Sequence, residues 1–288
     1  MMESLAPAKI NLSLDIIGRR PDGYHTLNMV MQSVSLFDVV SLERTQTDTV
    51  ELFCSAKDVP AGAENTVLRA AEAFFEATRT LRGSGLLFRV EKHIPRQAGL
   101  GGGSADAAAA LRLLNRMYRT GLTGEEMRKI GLLAGADVPF CVEGGTALVE
   151  GIGEIVKPIA PMAMCSIVIC RPCIGIGTRD AYEAFDRKST ATAGHTAPVL
   201  CALNRGELKK LGHVLGNAFE DAGVPEEISE LKAEMSRCGA VGGCMTGSGS
   251  AVFGLFERRN EAEACRKYLL RRYSEVFLCH PVFRNQAD

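Results

Sequence analysis

One segment constrains this chain more than any other: PRQAGLGGGSADAAAALRLL, Pro95 to Leu114. Gly99, Gly101, Gly102 and Gly103 stand directly before an alanine-rich run that reads as helix. Glycine backbone can curl so that successive N–H groups point inward, and with no Cβ it lets an anion approach closely. The helix N-terminus adds unsatisfied N–H donors and the positive end of the dipole. The junction is therefore a phosphate-binding loop or a plain glycine turn with Ser104 as helix cap. Three consecutive glycines lose much backbone entropy on folding, which makes the plain turn the weaker account. Ser104 is placed as a cap, or as a hydroxyl facing phosphate or metal. The pattern is not G-x-x-x-x-G-K-[ST], and Ser104 stands where the last glycine of G-x-G-x-x-G would be.

The 288 residues exceed one average domain and fit two. Lys and Arg total 33 against 34 Asp and Glu, a net charge of -1. No bulk attraction then favours nucleic acid or an anionic membrane, and any phosphate must be held locally. No apolar run reaches the ~18–20 residues of a membrane span. The N-terminal MMESLAPAKINLSLDI lacks the regions of a secretory signal. Most of the ten cysteines lie in apolar runs such as CSIVIC and read as small buried hydrophobes. Cys170 and Cys173 have C-x-x-C spacing, but no second Cys/His pair follows at zinc-like distance. The expectation is a cytoplasmic protein with reduced thiols, a monomer or weak homodimer acting on a small molecule.

Alternating and β-branched runs predict strands at Thr49 to Cys54 and Leu86 to Lys92. Asn65 is expected to cap a helix carrying Val67, Ala71, Phe74 and Phe75 near one face. Thr123 and Glu126 form a capping box, and Gly135 stops that helix. In the second half a buried strand, Cys165 to Arg171, precedes helices that include Glu207 to Leu215 and Pro225 to Arg237. A strand near Val241 to Met245, a GSGS turn and the strand Ala251 to Phe256 follow. Asn260 then caps a helix to Arg272, and Val276 to His280 closes as a strand. That order is β-α-β-β-α-β, ferredoxin-like, with extra helices in the first crossover. KSTATAGHTAP, Lys188 to Pro198, reads as an exposed loop. The fold class is α+β in two domains, residues 1–157 and 158–288.

Other segments carry chemistry. AKINLSLDI alternates, so Lys9, Asn11, Ser13 and Asp15 share a strand face that is either solvated or turned into a cleft. RRPDGYH is a turn that delivers Tyr24 and His25 together, able to stack on and hydrogen-bond a ring, or else two incidental loop residues. GADVPF sets Asp137 between a helix stop and Pro139, as a turn or cap residue or as a general base. MTGSGSAVFGLF is a second Gly/Ser turn, closing a hairpin or approaching a phosphate by its backbone. Thr178 is read as a helix cap, with Tyr182 on the same face, in the core or at a site.

Together, Ala8 to Leu14, Pro95 to Ala109 and Met245 to Val252 resemble, in order and spacing, the three motifs of the GHMP kinase superfamily. A-K-I-N-L, R-R-P-D-G-Y-H and G-A-D-V-P-F resemble closely the branch that acts on a cytidine-diphosphate-linked methylerythritol in non-mevalonate isoprenoid synthesis, over nearly the whole chain. The resemblance implies an N-terminal ribosomal-protein-S5-domain-2-like domain and a C-terminal ferredoxin-like βαββαβ domain. It implies ATP as co-substrate, a C2 hydroxyl as acceptor, and Mg²⁺ held by ATP phosphates and water, with Ser104 the one protein group offered to it. It also assigns roles. Lys9 and Asp137 are catalytic, Asp137 taking the hydroxyl proton. Pro95, Arg96, Gln97, Ala98, Gly99, Leu100, Gly101, Gly102, Gly103, Ser104 and Ala105 hold the ATP phosphates. Asn65 lines the adenine pocket, with Lys92 near it. Asn11 contacts substrate, Tyr24 and His25 grip the cytosine, and Tyr182 closes its other face beside Thr178. Three positions depart from the superfamily pattern: Gln97 where a small residue is common, Ala105 without a hydroxyl, and Asp106, whose charge must face away from ATP or toward a cation. Two other readings stand beside this one. A superfamily kinase acting on a mevalonate- or homoserine-type alcohol would have no base for Tyr24, His25 and Tyr182. A non-catalytic nucleotide sensor would be marked by loss of the Lys or the Asp, and both are present.

Overall fold

The computed structural model describes residues 1–56, 59–60, 62–188 and 194–284. Its first sheet grows from one long ribbon, in which β1 (Met2–Arg19) and β2 (His25–Thr45) pair antiparallel along most of their length. Register shifts at Pro7/Ala8, Asn11/Ser13 and Ile16/Gly18 bend and twist it. The bend lets β2 serve two neighbours. Its end pairs with β4 (Gly85–Glu91) and its start with β5 (Thr146–Gly151). β3 (Val50–Cys54) adds parallel to β4, and β6 (Ile155–Pro158) adds antiparallel to β5.

Helices α1 (Thr66–Thr78), α2 (Gly102–Tyr118), α3 (Gly124–Ala134) and α4 (Val138–Glu143) cover this sheet. The alanine run of α2 explains its position. Ala105, Ala107, Ala108, Ala109 and Ala110 are fully buried, and their small side chains let the helix backbone approach both the ribbon and α1. Asn65 caps α1 by accepting from the Val67 N–H, Thr123 and Glu126 make the reciprocal box on α3, and Gly135 ends α3, as expected.

The second half supplies β7 (Ser166–Arg171), α5 (Thr178–Lys188), α6 (Thr196–Arg205), α7 (Leu208–Val214), β8 (Gly216–Asn217) and α8 (Ala218–Asp221). It continues through α9 (Glu226–Arg237), β9 (Gly242–Met245), β10 (Val252–Phe256), α10 (Arg259–Leu269) and β11 (Glu275–Cys279). The second sheet has the order β11-β7-β10-β9 with every neighbour antiparallel, the ferredoxin-like arrangement. The two-domain α+β expectation holds, but the halves interlock. β8 pairs parallel to β1, and the Gln32 amide donates to the Val282 carbonyl. No helix among the described residues is long and apolar enough to cross a membrane.

Some element starts differ from expectation. α10 begins at Arg259, with Arg258 at its N-cap paired to Glu261, so Asn260 lies inside the first turn. Pro225 occupies the N-cap of α9 rather than its first turn. The expected loop ends early because α6 starts at Thr196, whose N–H, like that of His195, donates to the Asp15 carboxylate. That cap comes from β1, far away in sequence. Residues 189–193 of the expected loop lie outside the described residues. The polar face of β1 is not solvated. Lys9, Asn11, Ser13 and Asp15 are all buried, and the second half docks on them.

Candidate active site

The glycine-rich loop joins β4 to α2 and turns through left-handed backbone at Gln97, Gly99 and Gly101. At two of these positions glycine is required. A Cβ on Gly99 would lie 1.9 Å from the Thr246 carbonyl oxygen, and one on Gly101 would lie 2.9 Å from Lys9 Cγ. Gly101 is the N-cap of α2 and no side chain caps it, so the first-turn N–H groups have neither a helical partner nor a cap. Ser104 is therefore not the cap. It sits in the first turn and lines the main cleft. The loop also walls a hollow of about 280 Å³ with Thr66, Lys92 and Ile94.

Lys9, on β1, is tied to the loop by its own N–H, which donates to the Leu100 carbonyl at 3.0 Å. Its ammonium donates to Asn11 Oδ1 at 2.7 Å and lies 3.6 Å from Asp137 Oδ2. Asn11 Oδ1 also accepts from the Gly247 N–H at 3.0 Å, so the amide orientation is fixed by donors. Asp137 occupies the N-cap position of α4 yet makes no side-chain cap. Pro139 offers no N–H at the second helical position, and the Asp137 backbone is itself helical (φ -85°, ψ -10°) rather than extended as a capping residue's is. The carboxylate is thereby left to the cleft, 34% exposed beside a nearly buried ammonium.

Lys9, Asn11, Ser104 and Asp137 line one cleft of about 1040 Å³ together with Tyr24, His25, Thr178 and Tyr182. Its aromatic end differs from expectation. The His25 ring stacks on Tyr182, centroids 4.6 Å apart at 18°, which leaves no space for a third ring between them. Tyr24, at the hairpin tip and 63% exposed, is the aromatic left to cover a base from the other side. Phe219 meets Tyr182 edge-on at 5.0 Å. Burial, with the Asp137 charge adding to it, pushes the Tyr182 phenol up to about 12 and keeps it neutral. Thr178 is the first residue of α5 rather than its cap, because the Gly177 carbonyl accepts the first helical bond. Its hydroxyl lies 3.1 Å from that of Ser248.

Two expected ATP contacts are otherwise engaged. The Asn65 side chain caps α1 and donates to Pro60, so Thr66 lines the hollow in its place. Lys92 reaches the hollow, but its ammonium is held by Asp38 and Asp106. Burial works against that ammonium, yet the two carboxylates outweigh it and raise its pKa. Asp106 does face a cation, the protein's own. Burial pushes its carboxyl up to about 7, with Lys92 opposing and Asp38 adding to the shift.

Several residues of the site carry no local signal. Asp38 Oδ1 accepts from the His93 and Ile94 N–H groups at 2.5 and 2.8 Å and so fixes the chain entering the loop. The Thr246 hydroxyl accepts from the Asn11 N–H and lies within bonding distance of both Asn11 Oδ1 and the Gly99 carbonyl. The Asn217 amide donates to the Met245 and Gly247 carbonyls and holds the late glycine turn against the site. Asp186 bonds His25.

The chain matches the GHMP kinases N terminal domain over residues 65–145 and the GHMP kinases C terminal domain over residues 198–275. A 4-diphosphocytidyl-2-C-methyl-D-erythritol kinase of Clostridium botulinum (strain Alaska E43 / Type E3) is 38% identical over 283 residues, 98% of this chain and 100% of its own. The crystal structure of a 4-(cytidine 5'-diphospho)-2C-methyl-D-erythritol kinase superposes with a TM-score of 0.81 at 33% identity, covering 97% of this chain and 99% of that one. L. major mevalonate kinase in complex with R-mevalonate, at 16% identity and a TM-score of 0.79 over 99% of this chain and 97% of its own, shares the fold. The glycine-rich loop, the ferredoxin-like second sheet and a relative matched along its full length lead to one conclusion: the chain belongs to the GHMP kinase family.

Proposed function

We propose that this chain transfers the γ-phosphoryl group of ATP to the C2 hydroxyl of 4-diphosphocytidyl-2-C-methyl-D-erythritol, releasing ADP and the 2-phosphate, in isoprenoid precursor synthesis. One observation carries the reading: the Lys9–Asp137 pair shares a cleft with both the glycine-rich loop and the aromatic group Tyr24, His25 and Tyr182. The relatives named above carry the same activity in their names. Asp137 accepts the proton of the C2 hydroxyl as its oxygen bonds to the γ-phosphorus, and the bond to the β,γ-bridging oxygen breaks. Lys9, steadied by Asn11, offsets the charge on the transferring group. The open N–H groups at the start of α2 and the loop backbone hold the phosphates. The Ser104 hydroxyl, in the first turn of α2 and lining the cleft, is the hard oxygen donor that fits a Mg²⁺ ion arriving on ATP, which would neutralise phosphate charge. Tyr24 supplies an aromatic face for the cytosine, and His25, backed by Tyr182, a ring nitrogen. We take the protein to work in the cytoplasm, as a monomer or weak homodimer, with units 1–157 and 158–288 meeting along the cleft.

The test is ADP release with ATP, Mg²⁺ and the cytidine substrate, with mevalonate and homoserine alongside. Turnover of the cytidine substrate alone is expected. Turnover of only a small alcohol would discard the cytosine contacts and keep the phosphate loop. ATP binding with no turnover of any of the three would favour a sensor.

A further inference from the structure

We infer that Asp186 is a positioning residue for the nucleobase end of the cleft, an inference that rests on the cytidine-substrate reading above. Asp186 follows Tyr182 by one turn of α5, and both line the cleft. Its Oδ1 is 2.7 Å from His25 Nε2, and its Oδ2 accepts from Arg19 Nη1 at 3.3 Å. A carboxylate only accepts, so His25 Nε2 carries a proton. Nδ1 is then the ring nitrogen with no protein partner among the described residues, and it remains for a ligand.

The same carboxylate governs the turn. Arg19 Nε donates to the Gly23 carbonyl at 3.3 Å, so the Arg19–Asp186 pair grips the hairpin tip that presents Tyr24. At the other end of α5, the Thr178 and Ser248 hydroxyls meet at 3.1 Å. The helix is thus tied at one end to the late glycine turn and at the other to the hairpin. Asp186 is the hairpin tie. It fixes the plane of the imidazole on Tyr182 and the place of Tyr24, and it touches neither the phosphate loop nor the Lys9–Asp137 pair.

Removing this carboxylate loosens the base subsite alone. Asp186→Ala should raise KM for the cytidine substrate about ten-fold, with kcat and KM for ATP within about two-fold of wild type. Asp186→Asn should recover most of the loss, because its amide oxygen still accepts from Nε2–H. Imidazole ¹⁵N NMR of the ligand-free protein gives a readout free of any substrate: His25 should hold its proton on Nε2 in the wild type and lose that preference in Asp186→Ala. Unchanged His25 signals in Asp186→Ala would overturn the proposal. An equal rise in both KM values, in an enzyme whose wild type turns over the cytidine substrate, would overturn it and leave the functional reading standing. Wild-type turnover of a small alcohol instead would end the functional reading, and the proposal with it.

Discussion

At the phosphate end of the cleft the contacts run through backbone and buried charge. Lys9 N–H meets the Leu100 carbonyl, two strand-exit N–H groups meet Asp38, and Gly99 leaves no room for a Cβ beside Thr246. At the nucleobase end the contacts run between side chains: the half-buried His25 on Tyr182, and the exposed Asp186 on His25 and Arg19. Phosphates are the same in every member of a family that spends ATP, and backbone geometry suits an invariant guest. The acceptor differs from one kinase to the next, and side chains can be exchanged without disturbing the sheet.

That contrast can be broken at four points, in falling order of effect. Asp137→Asn keeps the fold and ATP binding and should lower kcat about 1,000-fold, within the range for a lost general base. Steady-state turnover set against nucleotide titration checks it, and a near-normal kcat would remove Asp137 from the chemistry. Gly99→Ala attacks the backbone end. A clash at 1.9 Å on left-handed backbone should cost about 3 kcal/mol of stability and weaken ATP binding. A denaturant midpoint equal to wild type would show that the loop can yield.

Tyr182→Ala attacks the other end and should raise KM for the cytidine substrate about ten-fold, with KM for ATP little changed. Equal effects on both substrates would erase the distinction between the two ends. The smallest effect concerns Asp106. Burial pushes its carboxyl up from the ordinary 3.8 to about 7 in the folded chain, so the folded state binds the extra proton between those values. Its contribution to stability is full below the ordinary value and is lost as pH rises through about 7. Asp106→Asn should therefore raise Tm by about 3 °C at pH 8 and by less at pH 5. Melts showing the larger gain at pH 5 would reverse the sign of that charge's effect.

The features legible in the sequence are those whose cause is local. Asn65 caps the helix that follows it, Thr123 and Glu126 close their own turn, and the strand order of the second half follows from alternation and glycine punctuation. The glycine loop was legible as a loop, but its helix start was not. With Gly101 in left-handed backbone the N-cap falls earlier than a serine rule places it, and Ser104 is carried into the first turn. The contacts that carry no local signal act across long separations. Asp38 reaches Lys92, Asp15 caps α6 and Asp186 reaches His25, and a carboxylate at any of these positions reads in sequence as an ordinary strand or helix charge. His25 and Tyr182 read as neighbours at one site, and both line the cleft, but their direct stacking depends on how α5 meets the hairpin.

The continuous ribbon of β1 has a consequence for which alcohols the enzyme can accept. Lys9 stands on that strand, which runs on through two register shifts to Arg19, where the hairpin turns back toward Tyr24 and His25. In the proposed reaction, the span from the reacting hydroxyl to the base is therefore gauged by a count of strand residues. Removing two residues from the regular stretch between Ser13 and Ile16 would shorten that gauge by up to about 6.6 Å while keeping the side chains beyond it on their own faces. Removing one would turn the faces over. A kinase altered in this way would favour a shorter linker between base and alcohol, so the strand acts as a ruler for its substrate.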